Sequence, residues 1–479
     1  MTDFIFKTEP YDHQREAFEA SAGVSSYALL MDMGTGKTKV DLDTMASCFE
    51  DRLIDFCLIV APKGVIANWI AEIAAPLPER VEREVVLWKP ALTKEKRKEL
   101  NDLYTETGKL KFLLMNIEAF SSKKGVSVAE IFVSKFKVFM TVDESTTIKN
   151  RQAKRTKAVC RVGRSAVMRR ILTGSPVTKS PMDLYSQMDF LDPDILGFKS
   201  YYAFQGRYAE VQRRSMGSHS FNQIMGYRHL DELTEKLDRN SFRVRKEDCL
   251  DLPDKVYMRR HVELTVEQSD AYAQMVSLAL ARLDSGELAT TQNVLTQIMR
   301  LQQICLGSLT DDDGTVHDLK SNRLSALLDI CDEIQGKAII WATWTRDIRS
   351  IAEALRDRCG VQAVAKLHGE TPDSDRQQIV ESFQDRQSEL RFIVGHPKTG
   401  GYGLTLTAAT TVVYYSNSYD LELRLQSEDR AHRIGQTSKV TYIDLIAPKT
   451  IDEKIVDALR NKIKIADLVL GEAARDWLK

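Results

Sequence analysis

The segment Gly34-Thr35-Gly36-Lys37-Thr38, set just after the apolar run Tyr27-Ala-Leu-Leu-Met31, constrains this chain more than any other. Two glycines let backbone N–H groups approach an anion closely, and a helix beginning at the next residue adds its positive dipole end. Strand, tight turn and helix in that order make a phosphate cradle of the kind found in parallel α/β sheets. In such a cradle Gly34, Thr35 and Gly36 supply backbone, Lys37 reaches the terminal phosphates, and the Thr38 hydroxyl serves Mg2+. The first glycine of the full G-x-x-x-x-G-K-T pattern is replaced by Met31.

Further apolar runs bounded by polar residues follow in Leu58–Ala61, Phe112–Met115, Val138–Val142 and Ile171–Leu172. A second set lies in Ala338–Trp341, Phe392–Val394, Thr411–Tyr415 and Val440–Leu445. Short continuous apolar runs are what strands covered on both faces require, so two α/β units with parallel sheets are predicted. Between them, over 196–320, the texture is aromatic, then basic, then helical through 265–305. Asp311–Gly314 reads as an exposed turn, and the apolar spacing of Ile451–Leu470 predicts a docked helix.

At 479 residues the chain exceeds one ordinary core. No run of eighteen apolar residues suggests a membrane span, and the N-terminus lacks a signal-peptide pattern. Seven scattered cysteines without a C-x-x-C pair argue against zinc and disulfides and for a reducing, intracellular, cytoplasmic setting. The net charge of −1 hides a local bias. No acid lies between Glu144 and Asp183, while Lys149, Arg151, Lys154, Arg155, Lys157, Arg161, Arg164, Arg169, Arg170 and Lys179 are all basic. Such a run either attracts phosphate backbones or forms a solvated face paired with acids from elsewhere.

Two more constellations carry chemistry. The apolar run ending in Asp143-Glu144 places one carboxylate to hold a metal and the next to orient and deprotonate a water. Gln426, Arg430 and Arg433 fall at i, i+4 and i+7, which on a helix is one face. Two arginines so placed either grip a polyphosphate or form salt bridges to Glu428 or Asp429. Trp69, Trp341 and Trp344 read first as packing, as do Tyr201, Tyr202 and Phe204.

In motif order the chain resembles the Swi/Snf branch of the superfamily-two helicase-like ATPases. Tyr11 and Gln14 resemble the adenine-reading glutamine motif, and Asp32–Thr38 resembles motif I. Val60-Ala-Pro62 with Asn68-Trp69 resembles motif Ia, Asn116-Ile-Glu118 motif Ib, and Leu172–Pro176 motif III. Asp143–Asn150 is similar to D-E-A-H-R-I-K-N, with Ser145 and Thr146 in place of Ala and His. Phe242–Lys246 with Leu252–Lys255 resembles a segment peculiar to the branch, and Met299–Cys305 its helical connector. Ile339–Thr343 resembles motif IV, Leu367-His-Gly369 with Arg376 the segment after it, and Gly400–Leu406 motif V, with Thr405 where Asn is usual. Arg430–Gln436 is similar to motif VI, and Thr450–Lys454 to the start of a bracing helix.

The resemblance implies an α/β fold of two RecA-like parallel-sheet lobes with a helical insertion. The implied division is an ATP-binding lobe at 1–195, protrusions and linker at 196–320, a helicase lobe at 321–450 and a brace at 451–479. It implies a DNA-dependent ATPase that binds ATP and Mg2+ and translocates on DNA, duplex being the branch's usual track, as a monomer and without a membrane partner. A strand-separating helicase or a remodeller of protein–DNA complexes, polymerase complexes included, are the alternatives. A bare core of this kind is more typical of bacterial or viral members, the latter working in the host cytoplasm. Catalysis falls to Lys37, Asp143, Glu144, Arg430 and Arg433, with Thr38 and Asp143 on the metal. Gln14, Gly34, Thr35, Gly36, Gly403 and Gln426 complete the nucleotide site. Lys63, Asn116, Thr343, His368, Lys398, Thr399 and Gly400 are the implied nucleic-acid contacts. Replacing the usual histidine by Thr146 leaves open how the ATP site is coupled to motif III.

Overall fold

A computed structural model describes residues 4–461 apart from 91–93, 106, 178–179, 217–218, 285–290, 311–314, 370 and 401–403. It divides into two compact units, 1–251 and 252–479. The 196–320 stretch is shared between them, ending the first unit and beginning the second.

The first unit carries β1 (Ser26–Met31), β2 (Phe56–Ala61), β3 (Arg83–Leu87), β4 (Leu110–Asn116), β5 (Val138–Asp143) and β6 (Met168–Leu172). A hairpin of β7 (Ala209–Met216) and β8 (His219–Tyr227) precedes β9 (Ser241–Val244). Seven of these strands form one sheet in the order β3-β4-β2-β5-β6-β1-β9, with every pairing parallel. Every residue of β1, β2 and β5 is buried, as their unbroken apolar runs require. Alternate residues feed two cores. Leu30, Leu58, Met140 and Val142 point into one, while Leu29, Ile59, Leu114 and Phe139 point into the other. Helices α1 (Asp12–Ser21), α2 (Lys37–Glu50) and α3 (Ile66–Ala74) pack among them.

The second unit contains β10 (Lys255–His261), a small hairpin of β11 (Ser308–Thr310) and β12 (Val316–Asp318), β13 (Lys337–Trp341), β14 (Val364–Leu367), β15 (Phe392–Gly395), β16 (Ala409–Tyr414) and β17 (Val440–Ile446). Its six-stranded sheet has the order β10-β17-β16-β13-β15-β14, again parallel throughout. The long helical texture resolves into helices Val266–Asp284 and Thr291–Leu306, which share a core with the helix Ile451–Arg460. That last helix begins the predicted brace; the rest of the brace and the Asp311–Gly314 turn lie outside the described residues. Arg323, fully buried, ties it down through a 2.6 Å ion pair with Asp452.

Candidate functional site

In the first unit three neighbouring strands bring the sequence motifs to one edge. The order β5-β6-β1 sets Asp143-Glu144, Thr173–Pro176 and the glycine turn side by side at the strands' C-terminal ends, where parallel sheets bind ligands. The turn itself needs its glycines. Gly34 and Gly36 have φ of 78° and 90°, and α2 starts immediately after at Lys37. A Cβ on Gly36 would lie 2.2 Å from Gln14 Nε2. Gly174 comes close to the same turn, its would-be Cβ lying 3.2 Å from the Met33 nitrogen.

The turn is held from behind by α1. The Thr35 carbonyl accepts hydrogen bonds from His13 Nε2 at 2.8 Å and from Gln14 Nε2 at 3.0 Å. Gln14 Oε1 accepts from the Tyr11 N–H in turn. Gln14 therefore shapes the phosphate turn, and His13 shares that task, a role invisible in a sequence where it reads as one more polar residue. Lys37 Nζ donates to the carbonyls of Met31 and Asp32 at 2.7 and 3.0 Å, which keeps its charge beside the strand end.

Asp143 is buried at the end of β5 with both oxygens engaged. Oδ2 accepts the Trp69 indole N–H at 2.8 Å and Oδ1 accepts the Glu144 backbone N–H at 2.8 Å. Burial pushes the Asp143 carboxyl up, and the indole bond, the Lys37 charge and the Glu144 N–H oppose it. Glu144 follows in a left-handed conformation at φ 48°, partly exposed. No cluster of three or more metal-ligating His, Cys, Asp or Glu side chains exists among the described residues. A hydroxyl from Thr38 and one fixed carboxylate nevertheless suit Mg2+, which keeps several waters and takes its other ligands from phosphates.

The residue before Thr146 starts the hydrogen bonds that reach the Leu172–Pro176 segment. Ser145 Oγ donates to Gln187 Oε1 at 2.6 Å, and Gln187 Nε2 donates to the Pro176 carbonyl at 2.7 Å. This buried relay joins the end of β5 to the Leu172–Pro176 segment, and nothing in the local sequence singles out Gln187 as its middle member.

Arg151, Lys157, Arg161 and Arg164 line one concavity, but the ten basic residues do not all share it. Arg161 pairs with Glu130 and Arg164 with Asp189, while Arg170 is fully buried and donates to the carbonyls of Ser21, Val24 and Arg169. Arg151 lies over the rings of Tyr201 and Tyr202, at 4.1 and 5.1 Å. Of the three aromatics, Phe204 is buried and Tyr202 is exposed. Lys179 lies outside the described residues. Lys63 is exposed on a 3-10 turn, Lys63–Val65. Asn116 caps the next 3-10 turn, its side-chain oxygen accepting from the Ala119 N–H.

In the second unit the expected single helical face is not what forms. The helix Leu421–Glu428 bears Gln426, but it stops before Arg430 and Arg433. Glu428 O still accepts the His432 N–H at 3.2 Å and also takes the Tyr442 hydroxyl, whereas Arg430 O is taken by the Leu406 N–H at 2.9 Å. Gly435, at φ 96°, completes the turn. Gln426 is buried and donates to Glu422, and Arg430 donates weakly to the Leu404 carbonyl at 3.4 Å.

Beneath them lies a closed ionic core. Arg424 is buried, stacked 3.5 Å over Tyr414, and bound to Glu428, Asp444 and Asn417. Glu428 also takes Lys255 at 3.0 Å and the Tyr257 hydroxyl at 2.7 Å, while Asp444 takes Arg460 at 2.8 Å. Burial alone would push Glu428 and Asp444 up, but these partners hold both below the ordinary carboxylate range. Elsewhere Thr343 pairs with Ser416, His368 is buried, and Lys398 is exposed on the short helix Pro397–Gly400. The side chain of Thr399 is not described, no side-chain statement applies to Gly400, and Gly403 lies outside the described residues.

Comparison with known proteins gives a consistent answer. Residues 19–308 match the SNF2-related domain and residues 320–435 the helicase conserved C-terminal domain. An uncharacterized ATP-dependent helicase of Mycoplasma genitalium is 27% identical over 448 residues, which is 92% of this chain and 40% of that protein. The SWI/SNF chromatin-remodeling complex subunit snf22 of Schizosaccharomyces pombe is 26% identical over 461 residues, 92% of this chain and 26% of its own. The chain thus spans well under half the length of these relatives. Among solved structures, the Sulfolobus solfataricus SWI2/SNF2 ATPase core in complex with dsDNA is 23% identical, covering 99% of this chain and 96% of that one with a TM-score of 0.42.

Proposed function

The chain belongs to the SNF2-related family, and from that premise we propose that it is a DNA-dependent ATPase that translocates along duplex DNA. The observation that carries this reading is the phosphate turn beside a buried acid. Lys37 and Asp143 lie close enough for the lysine's charge to act on the carboxyl, at the same edge of one sheet with β6 between their strands. A nucleotide's phosphates accept the N–H groups of Gly34–Lys37, with Lys37 leaving its backbone carbonyls for the phosphate oxygens. Thr38 and Asp143 would hold Mg2+, which would supply positive charge against the phosphates. Glu144 orients the attacking water and takes its proton. Gln14, besides bracing the turn, reads the base.

Turnover further requires Arg430 and Arg433, with Gln426 assisting, because charge on the phosphates must be offset as the terminal bond breaks. ATP binding favours the conformation in which those arginines engage, and hydrolysis removes that preference. Lys63, Asn116, Thr343, His368, Lys398, Thr399 and Gly400 contact the nucleic-acid backbone, and Gly403 belongs to the nucleotide site. Domain limits of 1–195, 196–320, 321–450 and 451–479 describe the working parts of this motor, which acts as a monomer. A reducing, cytoplasmic compartment suits seven cysteines that are all free, five of them buried. Among the described residues no helix is long and apolar enough to cross a membrane.

The test is ATP turnover measured with duplex, single-stranded and forked DNA and with RNA. Strong stimulation by duplex is expected, and hydrolysis indifferent to every nucleic acid would remove the proposal.

A further inference from the structure

Trp69, Trp88 and Trp341 are all buried, at 1%, 5% and 0% exposure. An indole carries one donor, and a buried donor without an acceptor is costly. The Nε1 atoms of Trp88 and Trp341 find no partner among the described residues, so those rings serve packing. Trp69 differs, because its N–H donates to Asp143 Oδ2 across 74 positions of sequence.

The position of Trp69 gives the bond a second meaning. It sits within α3, which the Lys63–Val65 turn enters without a break. Lys63, exposed at that entrance, is less than two helical turns from the indole. A short helix moves as a unit, so a displacement of the Lys63 end also displaces the donor on Asp143.

We propose that Trp69 is a positioning residue that fixes the Asp143 carboxylate for the metal–nucleotide complex and couples it to nucleic-acid binding at the Lys63 edge. This rests on the motor reading above. Such an arrangement is reciprocal: whatever the duplex does to metal–nucleotide affinity, the metal–nucleotide complex does to duplex affinity.

The experiment uses the full chain and Trp69→Phe, which keeps an aromatic ring and removes the donor. Binding of a fluorescent ATP analogue is titrated in Mg2+ and in EDTA, each with and without duplex DNA. Wild type should bind more tightly with Mg2+ and respond to duplex. Trp69→Phe should lose roughly tenfold or more of the Mg2+-dependent gain, with the duplex response falling toward none, as removing a supporting hydrogen bond from a metal ligand typically does. Its EDTA affinity should stay near wild type, while its melting temperature should fall modestly because a smaller ring fills the buried site and one bond to a carboxylate is lost. If Trp69→Phe keeps both the Mg2+ gain and the duplex response, the proposal is overturned. Wild type that shows neither would instead count against the motor reading.

Should Trp69→Phe fail to fold, wild-type protein with 15N-labelled indoles decides the matter. Mn2+ with nucleotide should strongly broaden one of the indole N–H signals from the five tryptophans, and adding duplex should shift that same signal. No broadened signal, or one unmoved by duplex, overturns the proposal.

Discussion

The phosphate turn of the first unit and the core beneath the arginine segment of the second hold their cations by opposite means. Lys37 rests on two backbone carbonyls, neutral acceptors that it can exchange for phosphate oxygens. The arginine segment stands on a core in which Arg424, Glu428, Lys255, Asp444 and Arg460 already satisfy one another. Removing one partner from such a core strands the rest, whereas exchanging neutral acceptors costs little. The first arrangement suits a group that must change partners in each cycle, and the second suits a platform that must not change.

Lys37→Ala should show the largest effect, a fall in ATP turnover of about a thousandfold or more with the melting temperature little changed. Steady-state hydrolysis beside calorimetry checks it, and an equally large loss of stability would erase the contrast. Glu428→Ala should do the reverse. Leaving Arg424 and Lys255 without their shared carboxylate should destabilise the second unit by about 3–5 kcal/mol, read from denaturant unfolding. A variant as stable as wild type would mean that the ionic core is no platform.

Asp41 offers a pH-dependent version of the same comparison. It is fully buried on α2, accepts from Thr141 Oγ1, and is pushed up to about 7 by burial, despite that hydrogen bond and the Arg170 charge. Because the folded state binds this proton more tightly, the contribution is complete below about pH 4 and is lost as pH rises through about 7. Asp41→Asn should flatten that decline and exceed wild type at pH 8 by roughly 1–3 kcal/mol, with less difference at pH 5. Parallel stability curves for the two proteins would refute the assignment. The smallest effect is expected of Gln14→Ala. Losing one of the two side-chain bonds to the Thr35 carbonyl should weaken ATP binding about tenfold, near 1.4 kcal/mol, in a nucleotide titration.

Both sheets were legible because strands buried on both faces must be apolar throughout, and the glycine turn because only glycine tolerates its backbone. Strands of other character were not legible. β10, Lys-Val-Tyr-Met-Arg-Arg-His, is a largely exposed edge whose charges serve Glu428, Asp457 and Glu333, so it has no apolar run to betray it. The polar hairpin of β7 and β8 is hidden for the same reason. Local spacing also failed at Arg430 and Arg433. The Arg430 carbonyl is taken by Leu406 from outside the local window, which helical spacing does not reveal. Trp69 read as packing because its acceptor lies on a strand distant in sequence from its helix.

Movement on DNA is the central claim, and displacement of a third strand from a triplex reports movement without requiring the duplex to open. Wild type with ATP should release the third strand, while the same protein without ATP, or Lys37→Ala with it, should not. Release that is equal in all three, or absent from wild type with ATP despite tight duplex binding, would contradict the account.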